Sequence, residues 1–234
     1  MSAPSHPPSD APVVEARRLG RRHGSRWTLK GVDLTVPRGQ LLMVAGANGS
    51  GKTTLLRLIA QAWLPSAGQL RLFGAAADPE SCARMALLSH ADYLYDELSA
   101  WENLQLAVTL GPRREGDPRA LLAEVGLEKR AHEPVKTFSA GMRKRLALAR
   151  LLWKRPELVL LDEPYGQLDP AGSLLIDGLF RRFRAQGITL LVATHQVQRV
   201  APFCDAAVVL AEGRLAWSGP PSQAQAQLLP GIEE

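Results

Sequence analysis

Apolar and polar residues alternate over 13–20 and 32–36, and 40–45 closes on the apolar run Leu41-Leu42-Met43-Val44. A period of two predicts strands, because successive side chains point to opposite faces. Two more strand-like pieces follow at 69–73 and 85–88, and from about Ser89 to Trp153 the pattern turns helical. Asp117-Pro118 suits a helix start, since Asp can accept from free N–H groups and proline is tolerated in the first turn; the helix predicted over 119–125 stops at Gly126. Residues 111–118, GPRREGDP, form the most loop-like interior segment. Leu158-Val159-Leu160-Leu161 has the unbroken apolar character of a buried strand and ends at Asp162-Glu163-Pro164. A helix over about 172–186 leads to Gly187, and a second buried strand covers 188–194. Strand, helix and strand at this spacing predict a parallel βαβ unit. Near the end, 206–210 and 214–217 flank Ala-Glu-Gly as a hairpin. The architecture predicted is a parallel α/β core interrupted by a mainly helical insertion.

Composition adds bounds. The chain has 234 residues, 46% hydrophobic and 22% charged, ordinary values for a globular protein with room for one large domain or two small ones. Residues 1–11, MSAPSHPPSDA, read as a disordered tail without the apolar centre of a secretory signal, and 221–234 as a C-terminal tail. No uncharged apolar stretch approaches the roughly 18 residues a membrane span needs. Cys82 and Cys204 have no metal-ligand spacing and read as inert thiols of a reducing cytosol. A net charge of +5 suits nucleic acid or an anionic membrane leaflet. The arginine groups at 17–22, 143–145 and 181–184 lack interleaved aromatics and fit solvated positions, so no direct nucleic-acid partner is expected.

The sharpest motif is Gly46-Ala47-Asn48-Gly49-Ser50-Gly51-Lys52-Thr53, set between a strand and the helix-like stretch that begins at Thr54. Glycines let backbone N–H groups converge on a phosphate, and the helix N-terminus faces the anion. Lys52 is placed to reach the β- and γ-phosphates, and the Thr53 hydroxyl to ligate Mg²⁺. The segment is expected to bind a nucleoside triphosphate. Asp162 and Glu163 end a buried strand, where neighbouring side chains diverge: one carboxylate can hold the metal shell and the next can polarise a water. Phe138-Ser139-Ala140-Gly141-Met142 precedes a helix over 143–153, with Ser139 a natural cap; such an end is either an ordinary capped helix or an anion grip. His195 follows the 188–194 strand directly. It is either structural or, at the C-terminal end of a parallel strand, within reach of a γ-phosphate.

Together, the phosphate loop, the FSAGM segment, LVLLDEP, the YGQLD turn and the terminal His resemble the ATPase domain of ABC transporters over about residues 12–220, with a helical subdomain at about 89–153. The resemblance implies an α/β P-loop NTPase fold with a parallel-sheet core, an N-terminal antiparallel β subdomain and a helical insertion. It implies ATP and Mg²⁺ as cofactors, and a homodimer or pseudo-dimer closing head to tail on two ATP molecules. In that arrangement Ser139, Ala140 and Gly141 contact the γ-phosphate held by the other subunit, and Asp169 sits on the turn crossing the interface. Glu163 becomes the general base and His195 the switch that holds water and phosphate. The partner implied is a multi-span membrane permease at the cytoplasmic face of the inner membrane. The apolar and aromatic stretch Tyr93-Leu94-Tyr95 and Leu98, on the helical insertion, is the contact expected for it.

Four positions depart from the usual family pattern. Ala140 stands where Gly is common, and Met142 where Gln is common. His90 occupies the place of a metal- and water-contacting Gln, and offers an imidazole in place of an amide oxygen. His23 replaces the aromatic that stacks on adenine, with Trp27 nearby as a substitute. Ser139-Ala140-Gly141, His90 ahead of Glu102-Asn103-Leu104, and Thr194-His195-Gln196 look most like the haem-exporter ATPase of cytochrome c maturation. Export or import of another cargo is the alternative, since fold and site do not fix a substrate.

Overall fold

The computed structural model describes residues 11–89, 93–110 and 117–228. His90, most of the expected N-terminal tail, the loop residues 111–116 and the last six residues lie outside the described residues. The strands are β1 (Val14–His23), β2 (Arg26–Val36), β3 (Leu41–Ala45), β4 (Ala67–Leu72), β5 (Ala75–Ala76), β6 (Met85–Leu88), β7 (Leu158–Asp162), β8 (Thr189–Thr194), β9 (Ala206–Ala211) and β10 (Arg214–Gly219). The helices are α1 (Lys52–Ile59), α2 (Pro79–Ala83), α3 (Ala100–Leu110), α4 (Pro118–Glu124), α5 (Ala140–Lys154), α6 (Pro170–Ala185) and α7 (Val197–Val200).

Two sheets form. One is antiparallel in the order β2-β1-β4-β5; the other has the order β10-β9-β3-β8-β7-β6, parallel except for its β10 edge. Every residue of β3, β7 and β8 is buried, as expected of strands covered on both faces. Alternation along them feeds two cores. Leu42, Val44, Leu158, Leu160 and Leu191 pack toward α1 and the antiparallel sheet. Leu41, Met43, Val159, Leu161 and Val192 pack toward α5 and α6. The predicted architecture is therefore present, including the helical insertion made by α3, α4 and α5.

Local chemistry moves several boundaries. α5 starts three residues before the predicted 143, because the Ser139 hydroxyl accepts from the Met142 N–H at 3.3 Å. α6 starts at Pro170 because the Asp169 carboxylate accepts from the Gly172 N–H at 2.9 Å. α2 escaped the sequence reading; its signal is a reciprocal cap between Asp78 and Ser81. Residues 221–228, assigned to a C-terminal tail, make two 3₁₀ turns and bury Ala224 completely.

One ion-pair cluster joins distant segments. Arg84 donates from Nε and Nη2 to the two carboxylate oxygens of Glu157 at 2.7 and 2.9 Å, and Arg38 donates to the same group at 2.9 Å. The Arg84 hydrogen bonds, opposed by burial and joined by Arg38, hold the Glu157 carboxyl at about 2. A depressed carboxyl pKa stabilises the fold above the unfolded value and loses that contribution as pH falls through the folded value. Glu157→Gln is thus expected to remove about 1 kcal/mol or less at neutral pH, because the pair is partly solvated. The difference from the parent shrinks between about pH 4.5 and pH 2; urea melts across that range measure it.

Candidate nucleotide site

Strand order assembles the site. β8 lies between β3 and β7, with Ala45 opposite Thr194 and Asp162 opposite Ala193. The C-terminal ends of three adjacent strands thus place the 46–53 loop, Thr194-His195 and Asp162-Glu163 side by side. Such a crevice is where open α/β sheets take their ligands.

In the loop, a Cβ on Gly46 would lie 2.4 Å from Ser50 Oγ and 2.6 Å from the Leu210 carbonyl oxygen. Gly51, at φ 111°, would bring a Cβ within 2.9 Å of the Thr28 carbonyl oxygen. These close approaches require glycine. No side chain caps α1, so the N–H groups of its first turn remain open to an anion. The Lys52 ammonium is buried and donates to the carbonyls of Gly46 and Ala47 at 2.8 and 3.1 Å. It stands 3.9 Å from Glu163 Oε1. Burial lowers its pKa, and the carboxylates of Glu163 and Asp162 act against that.

Asp162 is 4% exposed, and its Oδ1 is buried without a hydrogen-bond partner. Desolvation raises its pKa, and a hydrogen bond to Thr53 opposes the rise. A buried carboxylate oxygen with nothing to accept from, beside the Thr53 hydroxyl, fits a hard divalent cation that draws its other ligands from phosphate and water. No group of three or more acidic, His or Cys side chains suited to a metal occurs among the described residues.

Glu163 adopts φ 48°, a left-handed backbone unusual for a residue with a side chain. Its carboxylate accepts from the His195 N–H at 3.1 Å and the Thr194 hydroxyl at 3.3 Å, and Oε1 lies 2.9 Å from His195 Nδ1. This carboxylate is a quarter exposed and the His195 ring half exposed, so both face the crevice mouth. A carboxylate so held can take a proton from a water in the crevice.

The other sequence-assigned residues divide. Thr54 is buried in the first turn of α1. Ser139 and Ala140 are exposed at the tip of α5, with Gly141 half-buried beside them. No hydrogen bond or ion pair joins 139–141 to the loop among the described residues. A Cβ on Gly141 would lie 3.1 Å from the Gln167 carbonyl oxygen, so this tip packs on the turn that leads to Asp169. Asp169 accepts from Arg145 at 2.5 Å, and that bond, with the Gly172 N–H, holds its carboxyl below the usual range. His23 ends β1 with its ring edge-on to Trp63 at 4.9 Å. A cavity of 710 Å³ beside the loop is lined by Trp27, Thr28 and Asn48 among others, and His23 does not line it.

The arginine groups read as solvated are largely engaged: Arg143 with Asp96, Arg145 with Asp169, Arg182 with Glu124 and Arg184 with Asp205. Lys144, between two of them, is turned inward. It donates to the Glu163 carbonyl at 2.6 Å and the Gly166 carbonyl at 3.0 Å, and burial takes its amine down to about 8. Sequence reasoning missed Lys144 and Thr194; the position of Lys144 on the inward face of α5 was the available signal.

A profile described as ABC transporter matches residues 29–166. The chain belongs to the ABC transporter family. Its fold is the P-loop α/β fold of ABC ATPases. The aliphatic sulfonates import ATP-binding protein SsuB of Burkholderia thailandensis is 38% identical over 208 residues, 88% of this chain and 61% of that relative. The chain thus spans about three fifths of the length of this importer subunit. The cytochrome c biogenesis ATP-binding export protein CcmA 2 of Cupriavidus metallidurans is 40% identical over 189 residues, 79% of this chain and 90% of that relative. Among solved structures, cbiO1 of Clostridium perfringens, part of the ABC transporter complex cbiONQ, superposes with a TM-score of 0.77 at 25% identity, covering 93% of this chain and 92% of its own. This ABC chain has no helix among its described residues long and apolar enough to cross a membrane.

Proposed function

We propose that this chain binds and hydrolyses ATP as the energising subunit of an ABC transporter. One observation carries the reading: Lys52, the Glu163 carboxylate and His195 Nδ1 converge where three parallel strands end, beside the unpartnered oxygen of Asp162. Loop N–H groups and Lys52 bind the phosphates; Glu163 takes the proton of the attacking water; His195 orients that water and the γ-phosphate. Thr53 and Asp162 would hold Mg²⁺, with His90 the further candidate to ligate it or hold its water, and the ion would supply neutralisation of phosphate charge. His23 and Trp27 are the two rings offered to the base. The second half of each site comes in trans from Ser139, Ala140, Gly141 and Asp169 of a second ATPase subunit. A multi-span permease at the cytoplasmic face of the cell membrane completes the machine, docking near Tyr93 and Tyr95, which are 67% and 57% exposed.

For cargo, haem export in cytochrome c maturation is the proposed role. It is supported by Ser-Ala-Gly and Thr-His-Gln in this sequence and by a relative of that name matched over 90% of its length. Sulfonate import is the second reading, favoured by relatives such as that of Burkholderia thailandensis. Affinity isolation of the full chain from mildly solubilised membranes separates them. Co-isolation of cytochrome-assembly membrane proteins supports export; a permease that works with a periplasmic sulfonate-binding protein replaces it with import.

A further inference from the structure

We propose that Lys144 is a positioning residue: it fastens the backbone of Glu163 in its left-handed conformation to the helix whose tip carries Ser139 and Gly141. The inference deepens the hydrolytic reading above and rests on it for its kinetic consequences. Glu163 is one of few residues with a side chain at positive φ, and backbone strain of this kind persists only where surrounding contacts over-determine it. The contacts are visible. The Glu163 N–H is tied to the Ala193 carbonyl at 2.9 Å, and the Gly166 N–H returns to the Glu163 carbonyl at 3.2 Å. Beyond these and the ties of the Glu163 carboxylate to Thr194 and His195, the Lys144 ammonium spans the same turn, donating to the carbonyls of Glu163 and Gly166.

The arrangement is specific in two ways. Lys144 donates both of its hydrogen bonds to backbone carbonyls of a single turn, those of Glu163 and Gly166. Lys144 also sits in α5 between Arg143, paired with Asp96, and Arg145, paired with the Asp169 carboxylate. The helix tip assigned to the opposite nucleotide is therefore bound, through consecutive side chains of one helix turn, both to the backbone of the base in its own site and to the interface turn. Movement of that tip on closure reaches Glu163 directly, which gives the two sites of a dimer a route by which each senses the other.

Lys144→Met keeps the apolar stem and removes the donors. With the purified transporter, kcat for ATP is expected to fall about 10- to 100-fold while KM stays within about three-fold, the pattern of a misplaced catalytic group. Lys144→Arg, whose guanidinium can donate to both carbonyls, should recover most of the loss. A crystal structure of Lys144→Met should show Glu163 at negative φ and its carboxylate beyond hydrogen-bond reach of His195 Nδ1. A kcat within two-fold of the parent, or Glu163 unmoved in that structure, overturns the proposal. If the parent transporter hydrolyses no ATP, the hydrolytic reading fails, and the crystallographic arm still decides the role of Lys144.

Discussion

Glu163→Gln should reduce ATP hydrolysis by two to four orders of magnitude while nucleotide affinity stays within about three-fold, the range expected when a positioned general base is removed. The amide matches the carboxylate in size, keeps an oxygen for the His195 N–H and turns its NH2 to donate to the Thr194 hydroxyl oxygen, so the local geometry survives. What it loses is basicity at an atom 2.9 Å from His195 Nδ1 and 3.9 Å from the Lys52 ammonium. Binding is spared because the groups that grip phosphate, the loop N–H donors and Lys52, lie between β3 and α1 and at the start of α1, and Lys52 is held in place by the Gly46 and Ala47 carbonyls. Initial rates of phosphate release, paired with fluorescence titration of a labelled nucleotide, separate the two effects. Undiminished turnover would take the base role away from Glu163. Equal loss of rate and affinity would mean that the substitution had disturbed the loop rather than the chemistry.

The fold was legible where periodicity is strong and chain-local. The apolar runs of β3, β7 and β8 announced buried parallel strands, because a strand covered on both faces has no polar alternation to blur it. Legibility failed where a side chain's environment is set by another segment. The run Arg143-Lys144-Arg145 looks like a solvated helix face; in the fold one member is turned inward onto the Glu163 turn and the others pair with acids at 96 and 169. His23 illustrates the same limit. The neighbour of its ring is Trp63, brought in by the chain after α1, which no spacing along β1 discloses. The nucleotide site was readable as a set of parts, since each motif has its own backbone logic. Their convergence depends on β8 entering between β3 and β7, a long-range pairing that only the sheet order supplies.

The second large effect tests the proposal that a second chain completes the site. Lys52→Ala should abolish phosphate grip in its own loop, and Ser139→Arg should block the helix tip offered to the opposite loop; each homodimer is expected to lose at least 100-fold in turnover, in line with losing positioned transition-state contacts. Ser139 is exposed, so the arginine meets no core, and its cost to folding is that of a helix cap, about 1 kcal/mol. Mixing the two inactive variants then discriminates. In a head-to-tail dimer, one site of every mixed pair combines the intact Lys52 loop with the intact Ser139 tip, while the other site carries both defects. With free exchange about half the dimers are mixed and half their sites are whole, so about a quarter of the parent activity should return. The same mixing predicts nothing if each chain works alone, because both parents are dead in isolation. Mixed preparations that remain inactive despite proven subunit exchange would therefore leave Lys52 and Ser139 without a shared substrate. They would reduce the helix tip to an ordinary capped end, the alternative reading that its sequence also allows.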